Sequence, residues 1–346
     1  MTLSTLSLKN FRSYEDGDFD FEPGINVITG PNGSGKTNIL EAIYILGLTR
    51  SFRGSLPSAV RRGEDWFRIE SRLASGDDMA VVWNNSQKEC LLNDVAYPPA
   101  EYIVNMPVVL FEPSGLDVVY GGPASRRQMM DRILSVTDQG YLRSLVQLRR
   151  ILKQRNTLLR RPDMPRDQIF GWDVLLVEQA AYIRESREKL VEQLKTKVPS
   201  LYKSIAESDD DIEIKYSSQT ENGGDYTDNL LTQLEGGLDQ DFRYGFTRFG
   251  PHRDDLSVIY NTKALADVGS RGEVRTTALT LTLAEFDYIK QSSGKLPTVL
   301  LDDVFSELDV SRQRALLDVV EDTQVVVTST ELPSAIEARY NHIQLP

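Results

Sequence analysis

Short segments with the two-residue period of strands fill the first part of the chain: Leu3 to Leu8, Phe19 with Phe21, Phe67 to Leu73 and Met79 to Trp83. Ile25 to Thr29 and Val108 to Phe111 are short apolar runs of strand length, and Thr37 to Leu48 reads as a helix. From about Ala124 the period lengthens to that of helices. Leu145, Leu148, Leu152 and Leu159 mark one apolar seam, and Leu176, Ala180, Ile183, Leu190 and Leu194 mark a second. RRPDMPRDQ between the seams contains two prolines and predicts a loop. The pair therefore reads as a short antiparallel hairpin with arms of about 30 Å.

After a strand at Asp211 to Tyr216, the polar stretch SSQTENGGD predicts a loop. Beyond Gly245 the α/β pattern returns, with strands at Leu256 to Tyr260, Thr298 to Leu301 and Gln324 to Thr328. Helices are predicted from about Val274 to Ser292 and from Ser311. The simplest organisation is one α/β domain, residues 1–120 and 245–346, split by a mostly helical insertion at 121–244.

A chain of 346 residues is long enough to bury a full core in either part. Its apolar runs fall far short of the roughly 20 residues a membrane helix needs, and MTLSTLSLKNF lacks the layout of an export signal, which predicts a cytoplasmic protein. One cysteine, Cys90, excludes an internal disulfide, and with only His252 and His342 it cannot build a usual structural zinc site. The net charge of -12 argues against a polyanionic partner, except in one place. Eight basic residues lie between Tyr141 and Arg166, against the single acid Asp163. With the neighbouring pair Arg126 and Arg127, this hairpin is the candidate DNA surface, carried by Arg149, Arg150, Lys153, Arg160 and Arg161.

GPNGSGKT, Gly30 to Thr37, matches the phosphate-binding loop G-x-x-x-x-G-K-[ST] at every fixed position, between the predicted strand and helix. In such a turn the backbone of Gly30, Pro31, Asn32, Gly33, Ser34 and Gly35 wraps a polyphosphate, with its N–H groups and the positive helix end facing the anion. Lys36 would reach the β- and γ-phosphates, and the Thr37 hydroxyl, followed by Asn38, would ligate Mg²⁺. TVLLDDVF, Thr298 to Phe305, reads as a buried strand ending in two acids. Asp302 fits the Mg²⁺ acid, and Asp303 the group that polarises an attacking water. Loop and strand together specify an NTP hydrolase or a kinase.

Upstream, Ser270 and Gly272 open a helix and offer a second anion-binding surface, while Ser306, Glu307, Leu308 and Asp309 follow the acid pair. Phosphate loop, helical insertion, S-x-G helix start, LLDD, then ELD is the order of the ATP-binding-cassette class. The predicted fold is accordingly α/β, an ABC-type P-loop ATPase head of two lobes with a mostly helical inserted domain.

LSLKNFRSYED, GGPASRRQMMDR, FGPHRDDL, LLDDVFSELD and QVVVTSTEL together resemble the RecF family of bacterial recombination mediators, an SMC-like group, over nearly the whole chain. That resemblance implies a weak DNA-dependent ATPase using ATP and Mg²⁺, and an ATP-dependent head-to-tail homodimer on duplex DNA near single-strand gaps. It also implies partnership with RecR and RecO in loading RecA, in repair, replication restart and the SOS response. Asn10 and Arg12 would sit near the nucleotide, with Asp309 in the cofactor set. Ser270 would act on the partner's γ-phosphate, and Ser329 or Thr330 would be the switch residue. The family's usual signature is closer to GSQGQQRT, so Arg271, Glu273 and Val274 depart from it. Two alternatives remain open: an SMC-like nuclease-associated ATPase, which would carry far longer arms, and a P-loop small-molecule kinase.

Overall fold

A computed structural model describes residues 2–346 except 162–163, 221–223, 307, 334–335 and 337–339. The chain divides into two compact units, Met1–Gly115 with Leu279–Pro346, and Leu116–Ala278.

The first unit opens with β1 (Leu3–Phe11), β2 (Tyr14–Asp20), β3 (Ile25–Thr29), α1 (Lys36–Leu48), β4 (Trp66–Leu73), β5 (Asp78–Asn84), β6 (Gln87–Leu92), β7 (Val95–Ala96), α2 (Pro99–Tyr102) and β8 (Val108–Phe111). The second contains α3 (Asp117–Tyr120), α4 (Pro123–Thr137), α5 (Gln139–Leu159), α6 (Asp167–Ala206), β9 (Ile212–Ser217), α7 (Tyr226–Gly236), α8 (Leu238–Tyr244), β10 (Asp255–Tyr260), β11 (Lys263–Ala264) and α9 (Leu265–Val268). The division falls within α10 (Arg271–Ser293), after which β12 (Thr298–Asp302), α11 (Val310–Val319), β13 (Val325–Ser329) and β14 (Tyr340–Gln344) complete the first unit.

Within the first unit, the strands that alternate polar and apolar residues form an antiparallel sheet in the order β2-β1-β4-β5-β6-β7. The continuous apolar strands β3, β13, β12 and β8 form a second, parallel sheet, with the polar, half-exposed β14 added at its β3 edge, in the order β14-β3-β13-β12-β8. This division follows from burial: a strand covered on both faces needs apolar residues at every position, and one covered on a single face needs them at alternate positions. Helix α1 is buried from Ile39 to Leu48. It approaches β8 so closely that a Cβ on Gly47 would meet Val108 Cγ2 at 2.3 Å, so any larger residue there would push the helix off its strand.

Two expectations change. The boundary placed at 244/245 lies at 278/279, because β10 pairs with β9 along all six residues and draws the chain after Gly245 into the inserted unit. The hairpin arms are also unequal: α5 has 21 residues, but α6 has 40 and packs against β9 and α7 beyond its partner helix. That makes α6 about 60 Å long rather than 30 Å. The seam of α5 runs through Ile151 and Arg155, with Leu152 only half-buried. Part of the predicted loops, Pro162, Asp163 and 221–223, lies outside the described residues, as does Glu307 of the ELD segment.

Candidate nucleotide site and its surroundings

Parallel pairing brings the site together. β13 lies between β3 and β12, with Ser329 opposite Thr29 and Thr328 opposite Asp302, so the phosphate loop and the acidic strand end emerge at the same sheet edge. Thr37 Oγ1 donates to Asp302 Oδ1 at 2.9 Å, and Thr328 Oγ1 donates to the same oxygen at 2.7 Å. Thr328 had no signal in the sequence beyond its place in an apolar strand.

The loop has the backbone its glycines require: Gly33 at φ 87° and Gly35 at φ 103° lie in the left-handed region. Gly35 is constrained further, because Tyr14 lies over it and donates from its hydroxyl to the Gly35 carbonyl at 3.3 Å. Burial pushes the Tyr14 phenol up to about 12. Lys36 Nζ donates to the Gly30 and Pro31 carbonyls at 2.7 and 2.9 Å, folding the ammonium over the loop's own concavity. Ser34 Oγ is buried and has no hydrogen-bond partner among the described residues. An inward-facing lysine, an orphaned hydroxyl and a Thr–Asp pair form a donor set that fits a polyphosphate and a hard divalent cation. Asn32 and Gly33 lie at the exposed loop tip.

Asp303 sits at φ 52°, and its N–H donates to Thr328 Oγ1 at 3.1 Å. This left-handed backbone turns the chain at the strand end, so two adjacent acids have different surroundings. Asn38 bridges Ser13 Oγ and Arg53, at 3.0 and 2.8 Å. Asn10 donates to Glu64 at 3.4 Å.

Arg12 already has partners within the protein. Its Nε and Nη2 form a two-pronged pair with Glu41 at 2.9 and 2.6 Å, and Nη1 donates to the Ser58 carbonyl. Glu41 is fully buried on α1, so this pair anchors the first hairpin to the helix that carries the loop. Asp309 caps α11, accepting from the Arg312 N–H at 2.9 Å and pairing with its guanidinium.

In the second unit, Ser270 N–H donates to Glu273 Oε2 at 2.6 Å and Glu273 N–H donates to Ser270 Oγ at 3.3 Å, a reciprocal capping box at the start of α10. Tyr260 Oη also donates to Glu273, at 3.0 Å. The Ser270 backbone N–H holds the Glu273 carboxyl below its ordinary range. Glu273 and Val274 thus have local roles, since Val274 is wholly buried. Arg271, Gly272 and Ser270 are exposed.

Arg126 and Arg127 are not free cations. Arg126 forms a two-pronged pair with Asp255 at 2.8 and 2.9 Å, and Arg127 donates to the Asp254 carbonyl at 2.7 Å. Burial lowers the pKa of Arg127. FGPHRDDL therefore supplies acids to an internal network, in which buried Arg187 joins Asp131, Asp254 and the Pro251 carbonyl. Arg155, one of the eight basic residues of the hairpin, is fully buried between Asp173 and Asp241. Arg149 reaches Asp131 at 3.3 Å while staying 62% exposed. Arg150, Lys153 and Arg161 are exposed, with no side-chain partner among the described residues, and Arg160 donates to the Gly245 carbonyl.

Parallel sheet, phosphate loop and acidic strand end define a P-loop ATPase head of the ABC type. The family model "RecF/RecN/SMC N terminal domain" matches residues 2–342. The chain belongs to the RecF family. It is 32% identical to the DNA replication and repair protein RecF of Clostridium novyi, over all of this chain and 97% of that one. It is 33% identical to that of Lachnospira eligens, over 99% and 96%. Among solved structures it is similar to the recombination mediator protein RecF-ATP in the RecFOR pathway, at TM-score 0.90 and 30% identity over 96% of this chain and 93% of that one. The Smc head of Pyrococcus furiosus, at TM-score 0.52 and 15% identity, shares the fold.

Proposed function

We propose that this protein is a recombination mediator that binds ATP with Mg²⁺, closes into a head-to-tail homodimer, and clamps duplex DNA near single-strand gaps. The observation that carries the nucleotide part is the 2.9 Å hydrogen bond from Thr37 to Asp302, which joins the phosphate loop to the acidic strand. Thr37 and Asp302 would hold the metal, which when bound would neutralise charge on the β- and γ-phosphates. Lys36 swings from the Gly30 and Pro31 carbonyls to the nucleotide, the loop's N–H groups bind the phosphates, and Asp303 orients and deprotonates the attacking water. Ser329, beside Thr29 at the same sheet edge, senses the γ-phosphate, with Asn10, Asn38 and Asp309 at the margins of the site.

Across the dimer, Ser270 and Gly272 would face the γ-phosphate held by the partner. DNA would lie on Arg149, Arg150, Lys153, Arg160 and Arg161. Arg126 and Arg127 fit a structural role better, since their charge is already matched. Family membership supports cytoplasmic action with RecR and RecO and delivery of RecA to gapped DNA. The 40-residue α6 is far shorter than the arms of an SMC-like nuclease subunit.

The test is phosphate release by the full chain with ATP and Mg²⁺, with and without gapped duplex. Slow hydrolysis stimulated by the DNA is expected. Hydrolysis indifferent to DNA, or transfer of phosphate to a small molecule, contradicts the reading.

A further inference from the structure

At the tip of the helical hairpin a cavity of about 680 Å³ opens among the ends of α5, α6 and α8. Its size falls in the roughly 300–1,000 Å³ range of sites that hold a small ligand. Leu159, Met164 and Phe242 form an apolar floor, packed on Ile169 and Leu238. Among the described residues, four arginines, Arg160, Arg161, Arg166 and Arg243, stand around it against one aspartate, Asp239, which is paired with Arg166. The guanidinium groups of Arg161 and Arg243 have no partner among the described residues. Tyr244 projects beside them, 58% exposed, with its ring 5.9 Å from that of Phe246. Gly245, at φ 73°, ends α8 and holds Arg160 at the rim through its carbonyl.

A cationic rim around an apolar floor, with a solvent-facing aromatic ring, is poorly suited to a duplex, whose bases are stacked away from reach. It suits an unpaired nucleotide, whose phosphates take the arginines and whose base takes the ring. Continuity favours nucleic acid as the ligand. Arg149 and Lys153 on α5 and Arg160 at its C-cap fall at i, i+4 and i+11, within about 40° of one line along the helix. This stripe runs about 16 Å and ends at the cavity.

We propose that the tip cavity is a single-strand subsite, in which an unpaired base stacks on Tyr244 and its flanking phosphates bind Arg161 and Arg243. The proposal rests on the reading that the hairpin binds DNA. With it, the hairpin would read the junction itself: duplex along the α5 stripe, and the first unpaired nucleotides in the cavity.

The test uses the full chain with ATP and Mg²⁺, a blunt duplex, and the same duplex carrying a short oligo-dT overhang of either polarity. The parent is expected to bind an overhang substrate more tightly than the blunt one. Tyr244→Ala should remove that preference, weakening overhang binding by roughly tenfold, while Tyr244→Trp keeps it. Arg243→Ala should weaken the overhang substrate alone. Thermal unfolding of each variant checks the fold, and the exposure of both side chains leaves it intact. Equal affinity of the parent for both substrates, or an overhang preference unchanged in Tyr244→Ala, overturns the proposal and leaves duplex binding standing. Failure to bind either DNA overturns both readings. Tyr244-dependent binding of a Glu- and Phe-rich peptide, without any overhang preference, assigns the cavity to an acidic protein segment and also overturns the proposal.

Discussion

Thr37 and Asp302, 265 positions apart in the chain, share a hydrogen bond of 2.9 Å at the carboxyl edge of the parallel sheet. The neighbouring acid, Asp303, is exposed on a left-handed backbone, with its N–H donated to Thr328. Asp302→Asn should therefore impair Mg²⁺-dependent ATP binding. Asn is well tolerated at left-handed φ, so Asp303→Asn should keep the fold and ATP binding and lose about 10²- to 10⁴-fold in hydrolysis. Single-turnover phosphate release alongside nucleotide titration separates the two. Equal loss of ATP binding in both variants would refute the division of roles.

Lys36→Met removes the ammonium that rests on the Gly30 and Pro31 carbonyls. These lie on a partly exposed loop, so water can replace it there, and stability should change by less than about 1 kcal/mol. ATP affinity should fall to the limit of detection of a fluorescent-nucleotide titration. Parental affinity with an intact fold would remove the loop from the nucleotide site.

Replacing Arg149, Arg150, Lys153, Arg160 and Arg161 by Ala should weaken duplex binding. It should also reduce the slope of log K against log salt by about 0.9 for each phosphate that is no longer neutralised. The counterpart at Arg126 should behave differently: Arg126→Ala leaves Asp255 without its partner and should lower the unfolding midpoint more than it changes the salt slope. An unchanged slope in the five-residue variant would make the hairpin a merely solvated face.

Burial, reinforced by the like charges of Arg253, Arg127 and Arg155, pulls the His252 imidazole down to about 4. The unfolded chain takes up this proton near pH 6.5 and the folded chain only near pH 4. Stability is thus present above about pH 6.5 and is lost as the pH falls towards 4, by up to about 1.4 kcal/mol per unit. Urea unfolding across that window should show a shallower pH dependence in His252→Asn than in the parent.

The phosphate loop was legible because all its determinants are local: a strand, a spaced set of glycines, a lysine and a helix. Asp302 was legible because an apolar run ends in acids in a chain that also carries the phosphate loop. Tyr14 over Gly35 and Glu41 under Arg12 left no such trace, since each depends on where a hairpin lands on a helix far along the chain. Charge was misleading for the same reason. Arg126 and Arg155 look like surface cations in sequence, and only the fold reveals Asp255, Asp173 and Asp241 opposite them. The late boundary of the inserted unit was hidden in the pairing of β9 with β10, which a period of two announces for each strand but not for the pair.

The proposed joining of two copies by ATP depends on Ser270, whose hydroxyl and N–H are held by Glu273 in a capping box on an exposed helix start. Light scattering of the parent and of Ser270→Arg, each with and without ATP and Mg²⁺, tests it most directly. The parent should dimerise only with ATP, and the variant should bind ATP yet remain monomeric. A dimer that forms without ATP, or an ATP-dependent dimer in Ser270→Arg, would contradict a γ-phosphate read in trans.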